Sequence, residues 1–189
     1  MQELTEIRWH ARAGQGAVTA SRLVAETALH DEKYIQAMPE FGAERQGAPL
    51  KAYTRISPQP IEIHNNILNP DIVICLDDTL LDVVDICEGI RPEGMVLVNS
   101  CMDPEEIRCV AHVPENVKLY QVDASTIAEK YIGRDVPSAP LAGALARVSD
   151  VIGIDALKKF AQESFSKKFA PKVVEGNILA IQKAYEEVH

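Results

Sequence analysis

Two short runs, DIVICL at residues 71–76 and GMVLVN at residues 94–99, constrain this chain most. Neither alternates apolar with polar residues, so neither suits a strand with one face in water. A continuous apolar run of this length suits a parallel strand buried on both faces. VKLYQV at residues 117–122 reads as a third such strand. Parallel strands need long crossovers, and the segments between these runs carry helical spacing. The expected fold class is α/β: a three-layer α/β/α arrangement with a mostly parallel, mixed central sheet.

The antiparallel part is expected in the first half. TEIRWH at residues 5–10 reads as a first strand, with Ile7 and Trp9 alternating against charged neighbours. A turn over residues 11–16 leads to a helix over residues 17–30, where Val18, Leu23, Val24, Ala28 and Leu29 share a face. Residues 34–38 form a short strand ending at Pro39. LKAYTRI at residues 50–56 alternates strictly, as a half-buried strand should. Residues 61–64 read as a short return strand beyond Pro58 and Pro60. Further helices are expected at residues 79–87, 124–131 (capped by Asp123), 141–152, 155–165 and 171–188. No repeat or linker interrupts the chain, so residues 1–189 read as a single domain.

The charge balance narrows the partners. With 19 Lys and Arg against 28 Asp and Glu, the net charge is -9. Such a surface repels phosphate backbones, so nucleic acid is not an expected partner. No uninterrupted apolar run is long enough for a bilayer, and the polar first six residues are unlike a signal peptide. The expected location is the cytoplasm, with no membrane partner. Cys75, Cys87, Cys101 and Cys109 form no C-x-x-C pair, so no metal or iron–sulfur site is expected from this chain alone. They read as reduced, mostly buried thiols.

The first turn, Ala11-Arg12-Ala13-Gly14-Gln15-Gly16, lies between a strand and a helix, where open α/β sheets bind ligands. The helix start offers free N–H groups and a positive dipole end to an anion. Arg12 adds a charged donor. A dinucleotide site fails on detail: Ala11 and Ala13 stand where two glycines are needed, and a methyl at Ala13 obstructs a pyrophosphate. Glu40 stands near where a ribose-binding acid belongs, but Pro39 bends the chain there. Arg12, Gly14, Gln15 and Gly16 therefore read as an anion contact or as a tight turn only. The second loop, residues 40–48, carries Glu40, Glu44 and Arg45 between Gly42 and Gly47. It reads as a docking loop or a solvated one.

No nucleophile–base set and no metal-ligand spacing stands out. No catalytic residue is assigned. His10 ends the first strand, and a lone histidine there is more often structural. Asp77-Asp78 suits capping better than metal binding. Asn99-Ser100 occupies the equivalent place after the next strand.

These segments, in order, resemble the gamma subunit of pyruvate and related 2-oxoacid:ferredoxin oxidoreductases. The resemblance rests on EIRWHARAGQGA (6–17), FGAERQGAP (41–49), NPDIVICLD (69–77), VLVNS (96–100), PLAGALARV (140–148) and the tail from Phe169 through Asn177 to Glu186. The family commonly has Gly where Ala11 stands. The resemblance implies a non-autonomous oxidoreductase subunit whose complex oxidatively decarboxylates a 2-oxoacid to an acyl-CoA and passes electrons to ferredoxin. It implies thiamine diphosphate and iron–sulfur clusters held by alpha, beta and delta partners. On that reading Arg12, Gly14, Gln15 and Gly16 are expected to line the cleft facing the partners and to meet CoA phosphates or a partner carboxylate. Glu40, Glu44 and Arg45 become partner-interface residues. In isolation the exposed partner face would favour a homodimer. The alternatives are a stand-alone dinucleotide-binding protein and a pure interaction module.

Overall fold

The computed structural model describes residues 4–40 and 47–189. Strand β1 (Thr5–Arg12) runs through the centre of a six-stranded sheet and leads into helix α1 (Ala17–Leu29). Then follow β2 (Tyr34–Glu40), β3 (Pro49–Ser57) and β4 (Ile72–Cys75), and a 3₁₀ turn, Asp78–Leu80. The second half comprises β5 (Met95–Asn99), α2 (Pro104–Val110), β6 (Lys118–Val122), α3 (Ala124–Ile132), α4 (Ser138–Val148), α5 (Ile154–Ser166) and α6 (Pro171–Glu187).

The sheet order is β2-β3-β1-β4-β5-β6. β3 pairs antiparallel with both β2 and β1, while β1-β4, β4-β5 and β5-β6 are parallel. The sheet is mixed and mostly parallel, as the apolar runs require. The β6 edge is partly covered by the chain end: Gln121 N–H donates to the His189 carbonyl at 2.8 Å, and His189 N–H returns at 3.2 Å.

One face is an ordinary apolar core. Ile7, Trp9, Ala52, Ile74 and Leu97 pack under α1, α3, α4, α5 and α6. Fully burying one such aliphatic side chain stabilises by roughly 1.5–3 kcal/mol. α4 and α6 approach closely at Gly143, where a methyl would lie 2.2 Å from the Ile181 carbonyl oxygen. Only glycine fits that crossing.

The other face is covered by the 3₁₀ turn, the turns that follow it, and α2. Residues 79–87 do not form the expected helix. Its backbone groups are taken elsewhere: Asp85 Oδ1 accepts from Cys87 N–H at 2.9 Å, and the Ile86 carbonyl accepts from Arg8 Nη2 at 3.0 Å. α2 is an element the sequence did not disclose, capped by Asp103 on Glu105 N–H.

Two further expectations are corrected. Residues 61–64 form no strand; Gln36 Nε2 holds the Ile63 carbonyl at 2.8 Å instead. β3 is not half-buried either. Tyr53 and Arg55 are as buried as Ala52 and Thr54. The charged neighbours in β1 are also inside. Glu6 receives Arg55 Nε at 2.8 Å and Arg91 Nη2 at 2.9 Å, while Asp71 Oδ2 accepts from Glu6 N–H at 2.8 Å.

Candidate functional site

The parallel strands all end at one edge of the sheet, and the first turn lies there. Its shape follows from two glycines in the left-handed region, Gly14 at φ 105° and Gly16 at φ 87°. The turn is tied down from below. Arg12 N–H donates to Gln15 Oε1 at 2.7 Å, and Gln15 Nε2 donates to Asp77 Oδ2 at 2.6 Å. Thr79 donates from its hydroxyl to Asp77 Oδ1 at 2.6 Å and accepts from Arg12 Nε at 3.0 Å.

Asp77 is therefore a hub, which sequence reasoning had seen only as a cap. It does cap, accepting Thr79 N–H at 3.0 Å, and it pairs with Arg12 Nε at 3.3 Å. Burial opposes its ionisation, but hydrogen bonds from Thr79 and Gln15 and the Arg12 charge outweigh it and hold the carboxyl below its ordinary value. Asp78 accepts from Ser100 Oγ at 2.8 Å, and Asn99 Nδ2 bridges the Leu76 carbonyl and Ser125 Oγ. These edge residues brace the loops. Among the described residues no group of three or more His, Cys, Asp or Glu side chains is placed to hold a metal ion.

The end of the second loop, at Gly47 and Ala48, meets the first turn. Ala13 N–H donates to the Ala48 carbonyl at 3.0 Å, and Arg12 Nη1 to the Gly47 carbonyl at 3.1 Å. Glu40 accepts a short hydrogen bond from the Tyr53 hydroxyl, whose pKa is raised by burial and by that carboxylate. Glu44 and Arg45 lie outside the described residues.

What can this edge bind? Arg12 is not a free cation, because Asp77 shares its charge. The unengaged donors are elsewhere. α1 starts at Gly16 and α4 after Pro137; neither has a side-chain cap or an acid in its first turn. The two starts converge, since a methyl on Gly16 would lie 2.9 Å from Ser138 Oγ. Ser138 is 4% exposed, and its hydroxyl has no hydrogen-bond partner among the described residues. Gly14 is open, with nothing within 4 Å of where a methyl would stand. The sequence reading missed Ser138 because it began that helix at Leu141. The signal was present: a serine after proline, just ahead of an apolar run.

The cysteines divide two and two. Cys75 and Cys87 are buried, and burial pushes their thiols up to about 12 and about 11, so they stay protonated. Cys101 and Cys109 are exposed, which corrects the expectation of mostly buried thiols. Among the described residues no helix is long and apolar enough to cross a membrane.

The model of the pyruvate ferredoxin/flavodoxin oxidoreductase family matches residues 6–187. The chain belongs to that family, in its gamma-subunit branch. It is 44% identical over 183 residues to pyruvate synthase subunit PorC of Thermotoga maritima, covering 97% of this chain and 94% of that one. It is 40% identical to the pyruvate/ketoisovalerate oxidoreductases common subunit gamma of Pyrococcus furiosus, with 97% of each chain covered. The crystal structure of the Thermotoga maritima PorC subunit superposes with a TM-score of 0.88 at 41% identity, covering 100% of this chain and 98% of that one. The α/β architecture is thus shared with that PorC subunit along nearly its whole length.

Proposed function

We propose that this chain is the gamma subunit of a 2-oxoacid:ferredoxin oxidoreductase complex, with pyruvate as the oxoacid. In that reading the 2-oxoacid loses its carboxyl group as carbon dioxide, the acyl group passes to the CoA thiol, and the electron pair goes to ferredoxin. Thiamine diphosphate and the iron–sulfur clusters belong to the alpha, beta and delta partners. This chain, one unit over residues 1–189, packs against the thiamine-binding subunits and helps close the active site. The full-length likeness to pyruvate synthase subunits supports this reading.

The finer part of the proposal concerns CoA. Arg12, Gly14, Gln15 and Gly16 face the partner subunits and contact its phosphates. The observation that carries it is the convergence of two uncapped helix starts at Gly16 and Ser138, which offers backbone donors and one free hydroxyl to an anion. Arg12 contributes mainly by holding the turn through Asp77 and Thr79. Glu40, Glu44 and Arg45 dock the partner subunits beside it.

The test is the Michaelis constant for CoA in the assembled complex carrying Arg12→Ala. A rise of several-fold with the four chains still co-purifying supports the contact. An unchanged constant removes the CoA role and leaves a subunit that acts through assembly alone.

A further inference from the structure

On the second face of the sheet lies a recess of about 140 Å³, separate from the helix starts at Gly16 and Ser138. Its floor is one cross-strand row. Glu40 of β2 pairs with Lys51 of β3, and Lys51 pairs with His10 of β1. Leu80 and Val84, of the second-face cluster, form apolar walls beside it.

The polar groups of this row are unequal in what they have left to offer. His10 is 2% exposed, and its Nε2 lies 3.1 Å from Arg8 Nε. A guanidinium only donates, so Nε2 accepts and the ring proton sits on Nδ1. Nδ1 has no partner among the described residues, which leaves an N–H donor on a ring that lines the recess. Burial, with the charges of Arg8 and Lys51, lowers the His10 pKa to about 3, so the ring is neutral at physiological pH. Among the described residues the one ion pair of Lys51 is with Glu88 at 4.0 Å, a distance of little value at a partly exposed pair. Glu40 is already engaged by the Tyr53 hydroxyl.

Arg8 sets the field beneath this row. It is buried, and among the described residues no carboxylate lies within ion-pair distance of it. Its guanidinium is held by the Ile86 carbonyl at 3.0 Å, the Glu88 carbonyl and His10. Glu88 and Asp85 act on that charge from beyond ion-pair distance. The ring N–H at the floor and the Lys51 ammonium at the rim ask for an oxygen anion, with the Glu40 carboxylate, held by Tyr53, at the far end of the row. The apolar walls ask for a short hydrocarbon body. A cavity of about 150 Å³ accepts a benzene, so the recess suits a ligand of about six non-hydrogen atoms.

We infer that this recess binds a short aliphatic monocarboxylate, its carboxylate between His10 Nδ1–H and Lys51 Nζ and its hydrocarbon against Leu80 and Val84. The inference does not rest on the CoA reading, because it uses the opposite face of the sheet and different residues.

The experiment is an NMR titration of the isotopically labelled full chain with isobutyrate, using isobutyramide as the neutral control. A saturable shift of the His10 ring signals, with a dissociation constant on the order of millimolar for so small a ligand, is expected. Lys51→Met should weaken isobutyrate at least tenfold, and isobutyramide should bind at least tenfold more weakly than isobutyrate. Val84→Trp, which fills the recess from its partly exposed wall and leaves Arg8 untouched, should abolish the shift. No saturable shift in the native chain, equal binding of acid and amide, or full binding in Val84→Trp would each overturn the proposal.

Discussion

Arg8 and Trp9 are adjacent in β1 and equally buried, but the two faces of the sheet treat them in opposite ways. Trp9 enters an apolar layer under five helices, and its one polar atom finds Thr54 Oγ1 at 3.0 Å. Arg8 enters a layer of turns whose backbone carbonyls bend toward it. The helical face is held by area removed from water, which needs no particular direction. The turn face is held by directed bonds to charges that would be costly if left unmet. The lesson is that burial alone does not say what a position contributes. One face tolerates repacking; the other tolerates only replacements that leave no charge buried without its partner.

The largest effect should come from the helical face. Trp9→Ala is expected to cost about 4 kcal/mol, a cavity plus a lost transfer term. Urea unfolding would measure it, and a loss under about 1 kcal/mol would break the claim that this face carries the core. Next comes the charged face. Glu6→Ala leaves Arg55 buried without its carboxylate and should cost about 3 kcal/mol. The double change Glu6→Leu with Arg55→Met should recover most of that loss, since a packed apolar pair replaces the ions. If the double variant is no better than the single one, the face is rigidly specified rather than merely balanced.

The third prediction follows from His10. Its folded pKa of about 3 lies below its ordinary value of 6.5. The unfolded chain therefore binds the proton more readily, and stability is complete above pH 6.5 and lost as pH falls toward 3. Between pH 6.5 and 5 this group should remove roughly 1–2 kcal/mol, at most about 1.4 kcal/mol per pH unit. His10→Gln should flatten that slope relative to the native chain in urea titrations at matched pH. Parallel curves would show that the imidazole is not the titrating group. The smallest effect belongs to the edge network. Thr79→Val removes the hydroxyl between Asp77 and Arg12 and should cost about 1 kcal/mol. Hydrogen exchange at Gln15 should quicken with it; unchanged exchange would mean that Asp77 alone holds the turn.

How much of this was legible beforehand depends on range. β4 and β5 were read from their apolar runs because a strand buried on both faces must be apolar where helices and turns cover it. The cap at Asp123 was also read correctly. The failures share a cause. Glu6, Arg8 and Arg55 look solvent-facing by alternation, because periodicity assigns polar residues to water. Apart from the Arg8–His10 contact, the partners named above lie 49 to 85 positions away, so little that is local announces the pairing. The missing helix at residues 79–87 fails for a like reason: its Ile86 carbonyl is claimed by Arg8 from the sheet. Ser138 joins Gly16 only because α4 packs beside α1.

The sequence by itself determined the α/β class, the central parallel strands, the family resemblance and the position of the first turn at a strand end. These follow from short-range periodicity, glycine geometry and motif order, all written along the chain. Only the tertiary structure decided which donors are spent and which are free. Arg12 is shared with Asp77, while Ser138 Oγ and His10 Nδ1 remain unengaged among the described residues. A hydrogen bond is settled over about 3 Å in space, and separation along the chain carries almost no information about that distance.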